Sequence, residues 1–114
     1  MEYLDKVLGI EVAYMNGKFE HLPNFIATRY RLQMVSMNGQ RVIFLYPKTE
    51  LEQIEVLKKH IARIQKNENL PVVLVLNELG FRQKEYLIRE KIPFIVEGKQ
   101  IYLPFMAMYL QERC

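Results

Sequence analysis

The chain has 114 residues, of which 50% are apolar and 25% charged, with a net charge of +3 and one cysteine. This length and composition are typical of one globular domain that buries a core without disulfides or metals. No apolar run reaches the roughly eighteen residues that span a bilayer, and the acidic start of the chain is unlike a signal peptide. The positive charge is too small to indicate nucleic-acid binding by itself. We therefore expect a cytoplasmic protein that does not associate with a membrane.

The first half of the chain predicts a short helix followed by a β-hairpin. Apolar side chains recur at helical spacing over residues 1–9, whereas residues 10–28 show only turn signals. Polar and apolar residues alternate over 30–37, and residues 41–46 are almost continuously apolar. Asn38-Gly39 lies between these segments and supplies the positive φ angles of a tight turn. The sequence therefore predicts two antiparallel strands joined at this turn.

A long helix and a buried strand are predicted next. Thr49 and Glu52 match a capping box, in which the threonine caps the helix and the glutamate reaches back to it. The apolar stripe of this helix consists of Leu51, Ile54, Leu57, Ile61 and Ile64. Residues 72–76 are wholly aliphatic, which is typical of a central strand covered on both faces.

The remainder of the chain predicts further alternating elements. A helix over 81–90 is expected to offer Phe81, Leu87 and Ile88 to the core, and strands are expected at 94–96 and 100–103. A final amphipathic helix is predicted over 105–112. The chain is therefore predicted to form one α/β domain over residues 1–114, a three-layer α/β/α sandwich with a small mixed β-sheet.

The candidate catalytic and metal-binding side chains lack the sequence neighbours that such groups need. His21 and His60 lack Cys, Asp or Glu at metal-ligand spacing, and both are predicted at the surface, His60 on the solvent side of the long helix. Cys114 lacks the neighbours that activate a nucleophile. No nucleophile-elbow or phosphate-binding glycine motif is present. The sequence thus predicts no catalytic residue, no metal site and no cofactor, and hence a protein that is not an enzyme.

Positive charge is concentrated between residues 21 and 49, which contain four cations and no acid. The cations are Arg29, Arg31, Arg41 and Lys48. One interpretation is that these four residues contact nucleic-acid phosphates, which would position the protein without reading sequence. The alternative is that they form the ordinary solvent face of the hairpin.

The order hairpin, helix, strand, helix, strand resembles the core of the restriction-endonuclease-like fold. Such nucleases bind Mg²⁺ through an acid and a nearby Glu-x-Lys, since a hard cation needs carboxylate oxygens. Glu97-Gly98-Lys99 has this pattern, but it lies between two predicted strands, where Glu-Gly is a common turn pair. Residues 42–46, on the strand that should bear the motif, contain no acid. The resemblance therefore implies a degenerate copy of the fold, and the alternative is a simple turn.

The chain from residue 70 onward also resembles part of the bacterial winged-helix transcriptional regulators that are often called MarR-like. The matching segments are 70–76, a helix containing Gln83-Lys84 and residues 86–88, 92–96, 98–105, and a last helix ending at Glu112-Arg113. In such proteins this α/β part is N-terminal, and the winged helix that reads DNA follows it. The resemblance implies a non-catalytic N-terminal domain of a cytoplasmic bacterial DNA-binding regulator.

This resemblance also implies partners for the chain. The domain would serve dimerisation, signal input or auxiliary nucleic-acid contact, and the protein would form a homo-oligomer. DNA would be bound through a C-terminal domain that is not in this sequence, and the resemblance does not identify the small-molecule effector. The alternatives are an inactive nuclease-like domain and a free-standing protein-interaction module.

Overall fold

The computed structural model describes residues 2–17, 19, 22–106 and 108–111. These residues form a mixed α/β fold, in which a mixed β-sheet is accompanied by four α-helices, so the predicted class is confirmed. None of the helices in these ranges has the length and apolar character needed to cross a bilayer. The predictions for His21 and Cys114 lie outside the described residues.

Within the described residues, the sheet contains seven strands whose spatial order follows their order in the chain. The strands are β1 (Val12–Tyr14), β2 (Tyr30–Met37), β3 (Gln40–Pro47), β4 (Val72–Leu76), β5 (Phe94–Val96), β6 (Gln100–Leu103) and β7 (Met108–Gln111). The helices are α1 (Glu2–Leu8), α2 (Asn24–Ala27), α3 (Ile54–Glu68) and α4 (Phe81–Arg89). Strands β3, β4 and β5 are parallel to one another, and the other neighbouring pairs are antiparallel.

The predicted hairpin is present as β2 and β3. The two strands pair from Tyr30 opposite Pro47 to Met37 opposite Gln40. Asn38 and Gly39 form the turn with φ angles of 49° and 87°. The Asn38 side-chain oxygen accepts a hydrogen bond of 2.8 Å from the Glu11 backbone N–H, which ties the segment before β1 to the turn.

We expect Gly39→Ala to lower the free energy of unfolding by about 1–2 kcal/mol, because a Cβ disfavours the left-handed φ angle at this position. The space around Gly39 is open, so the cost is conformational rather than steric. Gly39→Asn is the matched control and should cost less, since asparagine tolerates this region of φ. Urea unfolding of both variants measures the difference, and equal losses would contradict the explanation.

Two apolar clusters lie on opposite faces of the sheet. On the α3 side, Leu57 of α3 and Leu87 of α4 are fully buried with Leu74 of β4. On the α1 side, Leu4 of α1 is fully buried with Val73 of β4. Every residue of β4 is buried, as the aliphatic run predicts. Helices α3 and α4 are the crossovers of the parallel strands, so both pack on the same face.

The predicted capping box is wrong. Helix α3 begins at Ile54, and its N-cap residue, Gln53, makes no side-chain cap hydrogen bond. Gln53 has an extended backbone (φ −58°, ψ 148°), so Thr49 and Glu52 lie in the loop before the helix. The Glu52 carboxylate instead forms an ion pair with Arg29. Glu52 thus pairs with a cation that is distant in the sequence instead of capping the helix.

Two further predictions are corrected near the ends of elements. The segment predicted as a final helix contains a 3-10 turn, Pro104–Met106, followed by β7, which pairs with β6. Without this strand, the outer edge of β6 would leave backbone groups unpaired. Phe81 is not a core residue: it is 71% exposed, because it is the first residue of α4 and precedes the turn that packs on the sheet.

Candidate functional site

A polar cleft lies where the three parallel strands end. Since β3, β4 and β5 point the same way, the loops that follow them meet at one edge of the sheet. These loops enclose a cleft of about 690 Å³. In open α/β sheets, ligands bind in the crevice outside the carboxyl ends of the strands. The topology therefore marks this cleft, called here the carboxyl-end cleft, as the candidate site.

Three carboxylates line the carboxyl-end cleft, one from the loop after each parallel strand. They belong to Glu50, Glu78 and Glu97, and all three residues are exposed. No ion pair joins any of them to a cation within the described part of the chain. Like charges around one cleft raise the local concentration of positively charged ligands. The cleft therefore suits a small ligand that carries positive charge and N–H donors.

Neutral polar groups complete the lining and hold its shape. The side chains of Asn77 and Tyr46 border the cleft and can both donate and accept hydrogen bonds. The Gln83 side-chain oxygen accepts a hydrogen bond of 3.1 Å from the Gly80 backbone N–H. This bond closes the first turn of α4 against the loop from which Asn77 and Glu78 project. The β4–α4 loop is therefore anchored next to the ligand space.

The Glu-x-Lys segment contributes to this cleft as a turn. Residues 97–99 connect β5 to β6, with Gly98 at a φ of +80° and the Lys99 N–H bonded to the Val96 carbonyl at 2.9 Å. The turn interpretation is thus confirmed. The described residues contain no group of three or more His, Cys, Asp or Glu side chains placed to hold a metal ion. Strand β3 also carries no acid.

The structure brings three of the four predicted cations to one end of the hairpin. Arg29 and Lys48 lie where β2 begins and β3 ends, and the Lys48 N–H bonds to the Arg29 carbonyl at 2.9 Å. Arg31 is on β2, opposite Tyr46. Arg29 is in the ion pair with Glu52, which offsets its charge, and the Lys48 ammonium donates to the Ala27 carbonyl at 3.0 Å.

Arg41 is separated from this group in two ways. It pairs with Ser36 near the hairpin turn, five residues along β3 from Tyr46, or about 17 Å at 3.3 Å per residue. It also lies on the α3 side of the sheet, since its neighbour Val42 belongs to the α1-side cluster. Arg31, opposite Tyr46, is on the α1 side. The four cations therefore do not form one continuous surface.

An aromatic cluster accompanies Arg31. The Arg31 guanidinium carbon lies 3.8 Å from the centroid of the Tyr46 ring. The Tyr14 side chain lies close enough to Tyr46 to influence its pKa, and Tyr14 is 55% exposed. Burial, followed by the influence of Tyr14, raises the pKa of Tyr46, while Arg31 opposes the shift. Tyr46 therefore stays protonated at neutral pH beneath the guanidinium group.

The predicted surface position of His60 is wrong. Its side chain is buried at 7% exposure, and its Nδ1 atom is 2.6 Å from the Tyr30 hydroxyl. The Phe25 ring packs on its other side, with the ring centroids 5.6 Å apart. Burial is the main cause of a lowered pKa at His60, and burial followed by the Glu52 carboxylate raises the pKa of Tyr30 to about 12. Both side chains are therefore uncharged at neutral pH and form a satisfied core pair.

No protein-family model, curated protein or solved structure matches this chain. No relative therefore assigns a role to any of these residues.

Proposed function

We propose that this chain is the non-catalytic N-terminal input domain of a cytoplasmic bacterial DNA-binding transcriptional regulator. The input is a small, positively charged molecule that occupies the carboxyl-end cleft. Of the roles that the MarR-like resemblance implies, signal input is the one that a defined cavity supports. The observation that carries the proposal is the cleft itself, about 690 Å³ in volume, with one carboxylate from the loop after each parallel strand, none of them in an ion pair with another described residue.

Two physical features support a small ligand rather than a macromolecule. The volume falls within the range of about 300–1,000 Å³ that is usual for small-molecule sites. The carboxylates project from three different loops, so a ligand that bridges them would restrain all three together. Such restraint is a means of signalling, because a ligand shifts an equilibrium only by binding one state better than another.

We expect spermidine and agmatine, two probes with ammonium or guanidinium groups, to bind the wild-type chain in isothermal titration calorimetry. Glu78→Gln keeps the size of the side chain and removes its charge, and it should weaken binding roughly 10- to 150-fold, since a hydrogen bond to a charged group contributes about 1.5–3 kcal/mol. Raising the salt concentration should weaken binding as well. Glu97→Gln should have an effect of similar size.

Glu85→Gln is the matched control, because Glu85 is an exposed acid on α4 that does not line the cleft. Its affinity should stay within twofold of wild type. Equal weakening by Glu85→Gln and Glu78→Gln would indicate non-specific attraction and would contradict the proposal. Failure of both probes to bind would contradict the proposed ligand class.

The nuclease-like alternative is favoured by one observation, the presence of Glu97 in the cleft. It requires Mg²⁺-dependent cleavage of DNA that Glu97→Ala abolishes. We expect no cleavage, because β3 lacks the acid that the family pattern requires. A DNA nicking assay with and without MgCl₂ distinguishes the two functions, since cleavage would replace the input proposal with an enzymatic one.

Two structural expectations belong to the same proposal. We propose that the two faces of the sheet correspond to a three-layer α/β/α sandwich, with α3 and α4 on one side and α1 on the other. We also propose that the whole regulator is a homo-oligomer that binds DNA through a following winged helix. The third candidate, a free-standing interaction module, would be favoured if the isolated chain self-associated without binding either probe.

A further inference from the structure

We propose that the surface formed by Tyr14, Arg31 and Tyr46, called here the arginine–tyrosine platform, binds single-stranded nucleic acid by stacking on unpaired bases. The platform lies on strands β1, β2 and β3, on the α1 side of the sheet. The inference is independent of the small-molecule ligand proposed for the carboxyl-end cleft.

The platform is held in place by a buried neighbour on the same face of β3. The Tyr46 ring makes an edge contact with Phe44, with the centroids 6.3 Å apart and the planes at 71°, and Phe44 is fully buried. Above Tyr46 lies the Arg31 guanidinium, 3.8 Å from the ring centroid. Arg31 is itself exposed, so its side chain is accessible to a ligand. Arginine planes and aromatic rings are the surfaces on which proteins stack unpaired bases.

Tyr14 extends the platform towards the edge of the sheet. Its side chain is 55% exposed, although it is large and partly apolar. Tyr14 pairs with Val35 of β2, so it lies on the same face of the sheet as Arg31 and Tyr46. Tyr14 and Arg31 are thus two exposed planar groups on one face of the sheet, where successive bases of a single strand could stack.

The charges around the platform favour a polyanion beside Arg31 but not beside the carboxyl-end cleft. No described carboxylate forms an ion pair with Arg31, and Lys48 adds a second cation at the end of β3. Arg29 contributes little because Glu52 neutralises it. Glu50, Glu78 and Glu97 repel phosphates on the cleft side. A strand stacked on Arg31 would therefore extend towards Tyr14 and β1, with Lys48 near its other end.

A single strand fits this surface better than a duplex does. Stacking on Tyr14 needs an exposed base plane, and the bases of a duplex are already stacked on each other. Two or three cations supply only modest phosphate binding. A duplex, which cannot make the stacking contact, should therefore bind more weakly than a single strand. The same chemistry suits single-stranded DNA and RNA, which the test compares directly.

The test is fluorescence anisotropy with a labelled 12-nucleotide oligothymidylate, an oligouridylate of equal length and a duplex of equal length. We expect tighter binding of the single strands than of the duplex. Raising salt from 50 to 200 mM should weaken single-strand binding roughly 7- to 18-fold if two or three phosphates are contacted. Tyr14→Ala should weaken it roughly 5- to 150-fold, the usual range for one lost stacking contact.

Arg41→Ala supplies the matched control for Arg31→Ala, since both remove one exposed arginine of the same hairpin, from opposite faces of the sheet. Arg31→Ala should weaken binding at least fivefold, and Arg41→Ala should stay within twofold. Arg31→Lys keeps the charge and removes the planar group, so it should also weaken binding. Circular dichroism confirms that each variant is folded.

Equal effects of Arg31→Ala and Arg41→Ala would indicate diffuse electrostatic attraction and overturn the proposal. Preference for the duplex, or no binding of either single strand at 50 mM salt, would overturn it as well. Because the probes differ from those used for the cleft, loss of one activity leaves the other measurable.

Discussion

Phe44→Ala is expected to lower the free energy of unfolding by about 3–5 kcal/mol, the usual cost of removing a fully buried phenylalanine. The Phe44 ring is completely buried on β3, between β2 and β4. Truncation would remove its contacts with the α1-side cluster and with the Tyr46 ring. Because small domains have a total stability of about 5–15 kcal/mol, the variant should lose a large share of its stability.

Phe81→Ala is the control, since it makes the same chemical change at a side chain that is 71% exposed. It should alter the free energy of unfolding by less than about 0.5 kcal/mol. Urea unfolding followed by circular dichroism measures both variants. A loss at Phe81 as large as that at Phe44 would mean that Phe81 is a core residue after all, as its sequence pattern predicts.

The second large effect concerns pH and the Tyr30–His60 pair. The pKa of His60 is below its ordinary value of 6.5 in the folded chain, mainly because its side chain is buried. In the unfolded chain, His60 takes up its proton near pH 6.5, so the unfolded state binds more protons below that pH. The stability from neutral His60 is therefore complete above pH 6.5 and is lost as the pH falls from 6.5 to the lower folded pKa. The slope is at most about 1.4 kcal/mol per pH unit.

The hydrogen bond to Tyr30 adds to this effect. A protonated His60 ring must donate from Nδ1, so the Tyr30 hydroxyl could only accept. Tyr30→Phe leaves the buried His60 nitrogen without its 2.6 Å partner and should cost about 1–3 kcal/mol at pH 8. Raising the pH from 8 to 9 should change little, because the pKa of Tyr30 is about 12.

The measurement is the urea midpoint of the wild type, Tyr30→Phe and His60→Gln at pH 8, 6.5 and 5. His60→Gln removes the titrating ring, so its stability should fall less than that of the wild type between pH 6.5 and pH 5. Parallel curves for the wild type and His60→Gln would show that other groups cause the acid sensitivity. That outcome would contradict the assignment to His60.

Elements defined by neighbouring residues are predictable from the sequence. The hairpin follows from alternation on both sides of Asn38-Gly39, and β4 follows from an unbroken aliphatic run. The long helix follows from its apolar stripe, with Leu57 and Ile64 buried as predicted. In each case, the residues that fix the element lie within a few positions of one another.

Features that depend on distant residues are missed. Strand β1 has three residues and α2 has four, too few for a periodic pattern. Glu52 does not cap the helix as predicted, because it forms an ion pair with Arg29, 23 positions away in the chain. His60 is buried because it is hydrogen-bonded to the Tyr30 hydroxyl and packs against the Phe25 ring. No local sequence pattern indicates either contact.

The candidate cleft depends on topology in the same way. Glu50, Glu78 and Glu97 are scattered acids in the sequence and meet only because three strands are parallel and adjacent. The parallel strand–helix–strand units are themselves predictable from the alternation of helices and strands. If the sequence also indicated that β3, β4 and β5 are neighbours, it would predict that the loops after these strands meet at one edge of the sheet.

The order of the strands in the sheet has a consequence for how the protein is made. Each strand pairs with the one synthesised immediately before it, from β1 to β7. A chain leaving the ribosome can therefore extend its sheet one strand at a time, and no strand has to enter between two that are already paired. Loops closed by consecutive elements are short, which keeps their entropic cost low. We expect the sheet to grow in the direction of translation, with β7 added last.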